Sequence, residues 1–392
     1  MKKNLWAASA LLSVAAISLT ACTPNDQSSG SEDGKIAVSS TADTCDVSTT
    51  ETKAGTTTFT VTNDGSEVTE FYVLAEDGIR IISEVENIGP GISRDLTVEL
   101  AEGNYKTSCK PGMVGDGIVG DFTVTANPDA QPVSDDEQAL RDTAISQYTS
   151  YVKDQVEQLK TKTDAFADAY ASGDDETARS MYADARLHYE RIEPVAESFG
   201  DLDPKLDSRE ADLEEGQDWT GWHAIEKDLW QPSAAANGGE DYQPLSPSER
   251  QKMAETLKED TQSLYDQTRE LDLTVDQIAN GSKSLLDEVT ASKVTGEEEI
   301  WSHTDLSDFQ GNVDGARVAF EDLRPIVESK DADLATEIDE KFTDVQNLLD
   351  QHKQGEGFKN YQDLSEDQVR ELSDSIDALS EPLSQLTGVV VG

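Results

Sequence analysis

Glu190 and Glu193 stand three residues apart in Arg186-Leu187-His188-Tyr189-Glu190-Arg191-Ile192-Glu193-Pro194, and His223 and Glu226 repeat that spacing in Gly221-Trp222-His223-Ala224-Ile225-Glu226. On a helix a three-residue step puts both members of a pair on one face. Two such pairs opposed across a bundle would gather carboxylate oxygens around one imidazole, which is how metal-binding bundles build their sites. Oxygen-rich ligation suits Fe, Mn, Mg or Ca, and an imidazole tilts the set towards a transition metal, so iron or zinc is the expected ion. A plainer reading makes Glu190 and Glu193 surface charges and His223 a hydrogen-bonded core residue.

Other polar clusters carry less. His303, Asp305 and Asp308 sit at the start of a predicted helix, where capping by Thr304 or Asp305 accounts for them. His188 precedes Glu190 by two residues and faces elsewhere on the helix, and His352 lies in a charged stretch read as surface. Nearer the N-terminus, Cys109 and Met113 lie in Cys109-Lys110-Pro111-Gly112-Met113, the loop position where copper-binding sandwiches place a Cys and a Met. Residues 35–126 contain no histidine, so a two-histidine blue-copper centre is excluded. Two readings remain: a Cys45–Cys109 disulfide, as an even cysteine pair in an oxidising compartment suggests, or a second metal site from Cys45, Cys109, Glu70 and Met113. No G-x-S-x-G, H-E-x-x-H or P-loop pattern occurs, so no catalytic residue is expected.

The elements that must position these residues fall into two blocks. Residues 35–126 are rich in Thr, Val and Ile, with short alternating stretches at 35–39, 57–62, 69–74, 79–86, 93–100, 104–109 and 118–125, separated by turns such as Asn63-Asp64-Gly65 and Gly89-Pro90-Gly91. This pattern predicts an antiparallel β-sandwich. Asn127-Pro128-Asp129-Ala130-Gln131-Pro132 breaks it, and residues 127–138 read as a linker. From 139 to 392 apolar residues recur at helical spacing, first at Leu140, Ala144, Tyr148, Tyr151, Val152, Val156 and Leu159, then through roughly 173–199, 247–270, 273–292, 305–328, 331–352 and 366–387. An all-α bundle of long helices follows, with irregular segments at 199–218 and 231–247 flanking the His223 motif.

The N-terminus reads as an export signal. Met1-Lys2-Lys3 supplies positive charge, and Leu5 to Ile17 is apolar but too short for a permanent span. Leu19-Thr20-Ala21-Cys22 has the pattern of a bacterial lipobox, making residues 1–22 a lipoprotein signal peptide, Cys22 the lipidated residue and 23–34 a polar tether. The formal net charge of -49 repels nucleic acid and attracts cations, although a solvated acidic surface accounts for most of it.

Gly221-Trp222-His223-Ala224-Ile225-Glu226-Lys227-Asp228-Leu229-Trp230 resembles the H-x-x-E signature of the imelysin family. Tyr182 to Pro194, Asp207-Ser208-Arg209-Glu210, Ala291 to Glu298, Ser302-His303-Thr304-Asp305-Leu306, Glu86-Asn87-Ile88-Gly89-Pro90-Gly91 and the paired Cys45 and Cys109 resemble the family's extracytoplasmic iron-uptake members, over about residues 35–392. That resemblance implies a cupredoxin-like N-terminal domain and an imelysin-type bundle that capture iron, Fe2+ or Fe3+. The iron would pass to a membrane permease, with a haem-peroxidase-like partner in the same system. Zinc binding in vitro is compatible with it, and copper in the sandwich stays open. It further implies His223 and Glu226 as core ligands, Glu190 and Glu193 as the opposing pair, and Asp207 and Glu288 as additional ligands. The lipobox departs from soluble periplasmic members and implies anchoring to the outer face of the cell membrane. An acidic cell-surface interaction protein and a zinc peptidase are the competing functions.

Overall fold

The computed structural model describes residues 35–392 apart from positions 114, 116, 131, 201, 214, 215 and 292. The expected signal peptide, Cys22 and the expected tether therefore lie outside the described residues. Two blocks of secondary structure follow one another, strands first and helices second.

The strands are β1 (Ile36–Ser40), β2 (Cys45–Val47), β3 (Glu51–Lys53), β4 (Gly55–Asn63), β5 (Thr69–Ala75), β6 (Ile81–Ile88), β7 (Ser93–Leu100), β8 (Gly103–Cys109) and β9 (Ile118–Thr125). They form one sheet in the order β2-β1-β4-β7 and another in the order β3-β9-β8-β5-β6. Inward residues alternate along β4 and β7, and Phe59, Phe71 and Phe122 meet between the sheets with ring centroids 5.3 and 5.5 Å apart. The seven expected strands are present, but the sandwich is mixed rather than antiparallel. β1 pairs with β4 in parallel, and so does β3 with β9. The reason lies in β2 and β3, each three residues and too short to show alternation: the chain leaves one sheet through β2, touches the other through β3, and returns as β4 alongside β1.

Cys45 on β2 and Cys109 at the end of β8 are joined by a disulfide, with Cα atoms 5.5 Å apart, which ties the two sheets together. Their sulfurs are bonded to each other, so the alternative in which both thiols ligate a metal is not the arrangement found. Met113 is exposed on a short 3-10 turn, and the buried Glu70 carboxylate accepts the Tyr72 hydroxyl.

The helices are α1 (Asp135–Ser172), α2 (Asp175–Glu190), α3 (Leu202–Asp207), α4 (Trp222–Trp230), α5 (Pro247–Thr268), α6 (Val275–Ala291), α7 (Asp305–Lys330), α8 (Ala332–Asp350), α9 (Glu366–Leu383) and α10 (Leu386–Val391). Between α8 and α9 lies a small hairpin, β10 (Lys353–Gln354) and β11 (Gly357–Phe358). Caps mark the ends that the sequence advertises: Ser134 accepts from the Glu137 amide at the start of α1, and Ser246 and Glu249 form a capping box on α5. His352 is buried rather than on the surface, because the turn into β10 points its ring inward while Gln351 and Lys353 stay exposed.

The sandwich rests on α6. Asn280 donates to Ser83 Oγ at 2.9 Å and to the Thr97 carbonyl at 2.8 Å, Gln277 donates to the Ile82 carbonyl at 3.1 Å, and Arg94 pairs with Asp287 at 3.0 Å. This docking brings Glu84 and Glu86 of β6 over the bundle.

Candidate metal centre

The centre is built where α2, α3, α4 and the start of α7 meet the segment joining α6 to α7. Gly221, at φ +86°, opens α4; a Cβ there would collide with the Leu206 carbonyl, so glycine lets α4 start directly against α3. That contact sets His223, on the first turn of α4, beside Asp207 at the end of α3. Gly311 does the same for α7: a Cβ would collide with the Glu190 side chain.

His223 is 1 % exposed. Its Nε2 lies 3.6 Å from Asp207 Oδ1 and 3.7 Å from Glu298 Oε1, and its Nδ1 lies 3.4 Å from Glu226 Oε2. Two groups of three therefore have ligand atoms within 4.8 Å of one another: Asp207, His223 and Glu298, and His223, Glu226 and Glu299. Glu226 Oε1 accepts the backbone amides of Trp301 at 3.1 Å and Ser302 at 2.6 Å. Glu299 accepts the Tyr182 hydroxyl at 3.1 Å and the Ser302 hydroxyl at 2.6 Å.

Two buried cations organise the carboxylates. Arg186 reaches Glu190 at 2.7 Å, Glu298 at 3.0 Å, Glu299 at 2.7 Å and Asp308 at 3.5 Å, and it also pairs with Asp207. Lys293 reaches Glu193 at 2.6 Å and Glu190 at 3.3 Å, with Asn312 donating to the same two carboxylates at 2.6 and 2.8 Å. Glu190, Glu226, Glu298, Glu299, Asp305 and Asp308 are all buried, so carboxylates outnumber the buried cations. Uncompensated buried charge is costly, and the excess favours an added cation or protons.

The electrostatics bear this out. Burial and the Arg186 charge oppose a charged imidazole at His223, but the Glu226, Glu298 and Asp207 carboxylates outweigh them and push it up to about 10. Burial and the Glu299 charge raise Glu226 to about 8, against the lowering pull of His223. Burial raises Glu288 to about 7, with Lys293 pulling the other way, and burial with the Glu299 charge raises Asp305 to about 7. Glu298 resists its own burial, because Lys293, His223 and Arg186 hold it well below the usual carboxylate range.

Two openings reach the imidazole side. A cavity of about 450 Å³ is lined by His223, Glu298, Trp301, Ile300, Arg209 and Asp212. A cleft of about 200 Å³ between sandwich and bundle is lined by Glu84, Glu86, Asp207, Glu288 and Glu298 among others. Arg209 borders both and holds Asp212 at 2.8 Å and Glu298 at 3.5 Å.

Of the residues expected from the sequence, His223, Glu226 and Asp207 come together. Glu190 and Glu193 fall in neither three-residue group; Arg186, Lys293 and Asn312 hold them. Glu288 lines the cleft and belongs to neither three-residue group. The capping reading of the α7 start also fails. Thr304 makes no side-chain cap, while Asp305 is buried and accepts the Glu299 amide at 3.2 Å. His188 is bound to Gln155 at 2.7 Å, away from the centre. Sequence reasoning missed Glu298 and Glu299; the only signal was the run Glu297-Glu298-Glu299 after Gly296, in a loop with no periodicity.

Residues 144–386 match the family model described as Imelysin. The chain belongs to the imelysin family. Among curated imelysin-type relatives, "Iron uptake system component EfeO" of Yersinia pseudotuberculosis serotype I is 37% identical over 340 residues, covering 86% of each chain. The protein of the same name from Escherichia coli strain K12 is 35% identical over 359 residues, covering 91% of each. A solved structure described as a putative iron-regulated protein A precursor from Parabacteroides distasonis aligns with a TM-score of 0.48 at 14% identity, covering 68% of this chain and 98% of that one.

Proposed function

We propose that this protein is the extracytoplasmic iron-binding component of an iron uptake system, holding iron at His223 and delivering it to a membrane permease, with a haem-peroxidase-like partner in the same system. The observation that carries this reading is the buried His223 Nε2, which has no hydrogen-bond partner and lies 3.6 and 3.7 Å from two carboxylates. One imidazole with carboxylate oxygens suits a first-row transition ion, and iron is the cargo that the relatives' name suggests. Cys22 would carry the lipid that tethers the chain to the outer face of the cell membrane. No helix among the described residues is long and apolar enough to cross a membrane.

The sandwich, on this reading a cupredoxin-like domain, serves as the acidic wall of the cleft through Glu84 and Glu86 rather than as a thiolate metal site. We read the protein as non-catalytic. A zinc peptidase would need a carboxylate free to activate water, and Glu226 is committed to two backbone amides. Calorimetric titration with Fe(II), Fe(III), Zn(II) and Cu(II), beside the double variant His223→Ala/Glu226→Ala, tests the assignment. Tight iron binding that disappears in the variant is the expected result. Binding unchanged in the variant would remove the bundle site, and no binding at all would leave an acidic interaction protein as the better reading.

A further inference from the structure

The two candidate ligand groups share His223 but use opposite nitrogens of its ring. On the Nδ1 side every carboxylate is already engaged. Glu226 Oε1 takes the amides of Trp301 and Ser302, its Oε2 faces Nδ1 at 3.4 Å, and Glu299 is occupied by Tyr182, Ser302 and Arg186. Neither Glu226 nor Glu299 lines any of the cavities described above.

The Nε2 side differs in access and in its nitrogen, although its carboxylates too have partners, Asp207 in Arg186 and Glu298 in Arg186 and Arg209. Nε2 itself is buried without a hydrogen-bond partner. His223 and Glu298 line the larger cavity, and Asp207 and Glu298 line the cleft, so an ion can approach Nε2 from solvent. Arg186 holds both Asp207 and Glu298 in place. A carboxylate oxygen has two lone pairs, so an arginine contact on one leaves the other for a metal.

We propose that the ion is bound on Nε2 of His223 between Asp207 and Glu298, and that Glu226 is a positioning residue that accepts the Nδ1–H rather than a ligand. This deepens the iron-binding reading above and rests on it. A metal-bound histidine ordinarily donates its second ring N–H to a carboxylate or carbonyl, which fixes the tautomer and the ring plane. Glu226 is placed for that task. Its own orientation is locked by the segment that carries Glu298, because the Trp301 and Ser302 amides that grip it lie three and four residues beyond that ligand. One turn of α4 therefore ties the imidazole to the loop that supplies a ligand.

Zn(II) serves as a diamagnetic probe. Long-range proton–nitrogen NMR on full-length protein carrying 15N-histidine, with the His223 signals assigned from a His223→Ala variant, reports which nitrogen is metallated. The expected result is metal on Nε2 and a proton on Nδ1. Metal on Nδ1 would overturn this inference while leaving His223 as a ligand, whereas His223 signals that do not respond to saturating Zn(II) would overturn the iron-site reading as well. Glu226→Gln extends the test, because its amide must turn an N–H towards either the imidazole or the two backbone donors. Zn(II) affinity should fall about 10- to 100-fold with the metal still on Nε2. An unchanged affinity would show that Glu226 does not position the ring.

Discussion

Lys293 Nζ lies 2.6 Å from Glu193 Oε1, a lysine with no solvent exposure held by the carboxylates of Glu190 and Glu193. The pair gives two glutamates with ligand-like spacing a cation from the chain itself. Lys293→Ala should therefore leave Glu190 and Glu193 buried without it. The expected loss, read by urea unfolding in metal-free buffer, is about 3–5 kcal/mol. A loss below about 1 kcal/mol would mean that the ammonium is not needed there.

Glu288 titrates near 7 in the folded chain because burial raises it. Between its ordinary value and about 7 the folded state keeps a proton that the unfolded state has released, so this group's contribution to stability is present at low pH and is lost as pH rises through that window. Glu288→Gln does not titrate. Its stability relative to the native protein should rise from pH 5 to pH 8, by on the order of 2 kcal/mol in metal-free unfolding measurements. A gap independent of pH would refute the assignment.

Metal must displace the proton from an imidazole that is pushed up to about 10. Binding at pH 6–8 should release protons, and affinity should weaken by about tenfold per pH unit for each proton displaced as pH falls. Calorimetry in two buffers of different ionisation enthalpy measures the number released, and a value of zero would contradict a charged His223 in the free protein.

Gly221→Ala forces a Cβ into the Leu206 carbonyl at a positive φ. The variant should lose roughly 2 kcal/mol or more, and its metal affinity should drop because α4 can no longer sit against α3. Thermal unfolding and a metal titration on the same sample separate the two effects.

The disulfide spans 64 residues of sequence. Replacing Cys45 and Cys109 together by Ala should destabilise the sandwich by about 2–5 kcal/mol. Metal binding at His223 should persist at temperatures where the sandwich remains folded; loss of binding in that range would return the thiols to the site.

Local order was legible in the chain because it depends on local spacing. Alternation marked the seven longer strands, 3.6-residue periodicity marked the long helices, Pro-rich residues at 127–132 separated the two blocks, and the three-residue step from His223 to Glu226 put an imidazole and a carboxylate on one face. The parallel pairings of β1 and β9 escaped notice because three-residue strands carry no period, and the direction of a strand depends on where the chain crosses between sheets. Above all, tertiary structure decided which carboxylates face the histidine. Spacing alone singled out Glu190 and Glu193 and passed over Glu298 and Glu299. Packing gives the first two to Lys293, Asn312 and Arg186, and brings Glu298 from an irregular loop to 3.7 Å from Nε2. The cation beside Glu193 comes from about a hundred residues away along the chain, and no local spacing reveals such a partner.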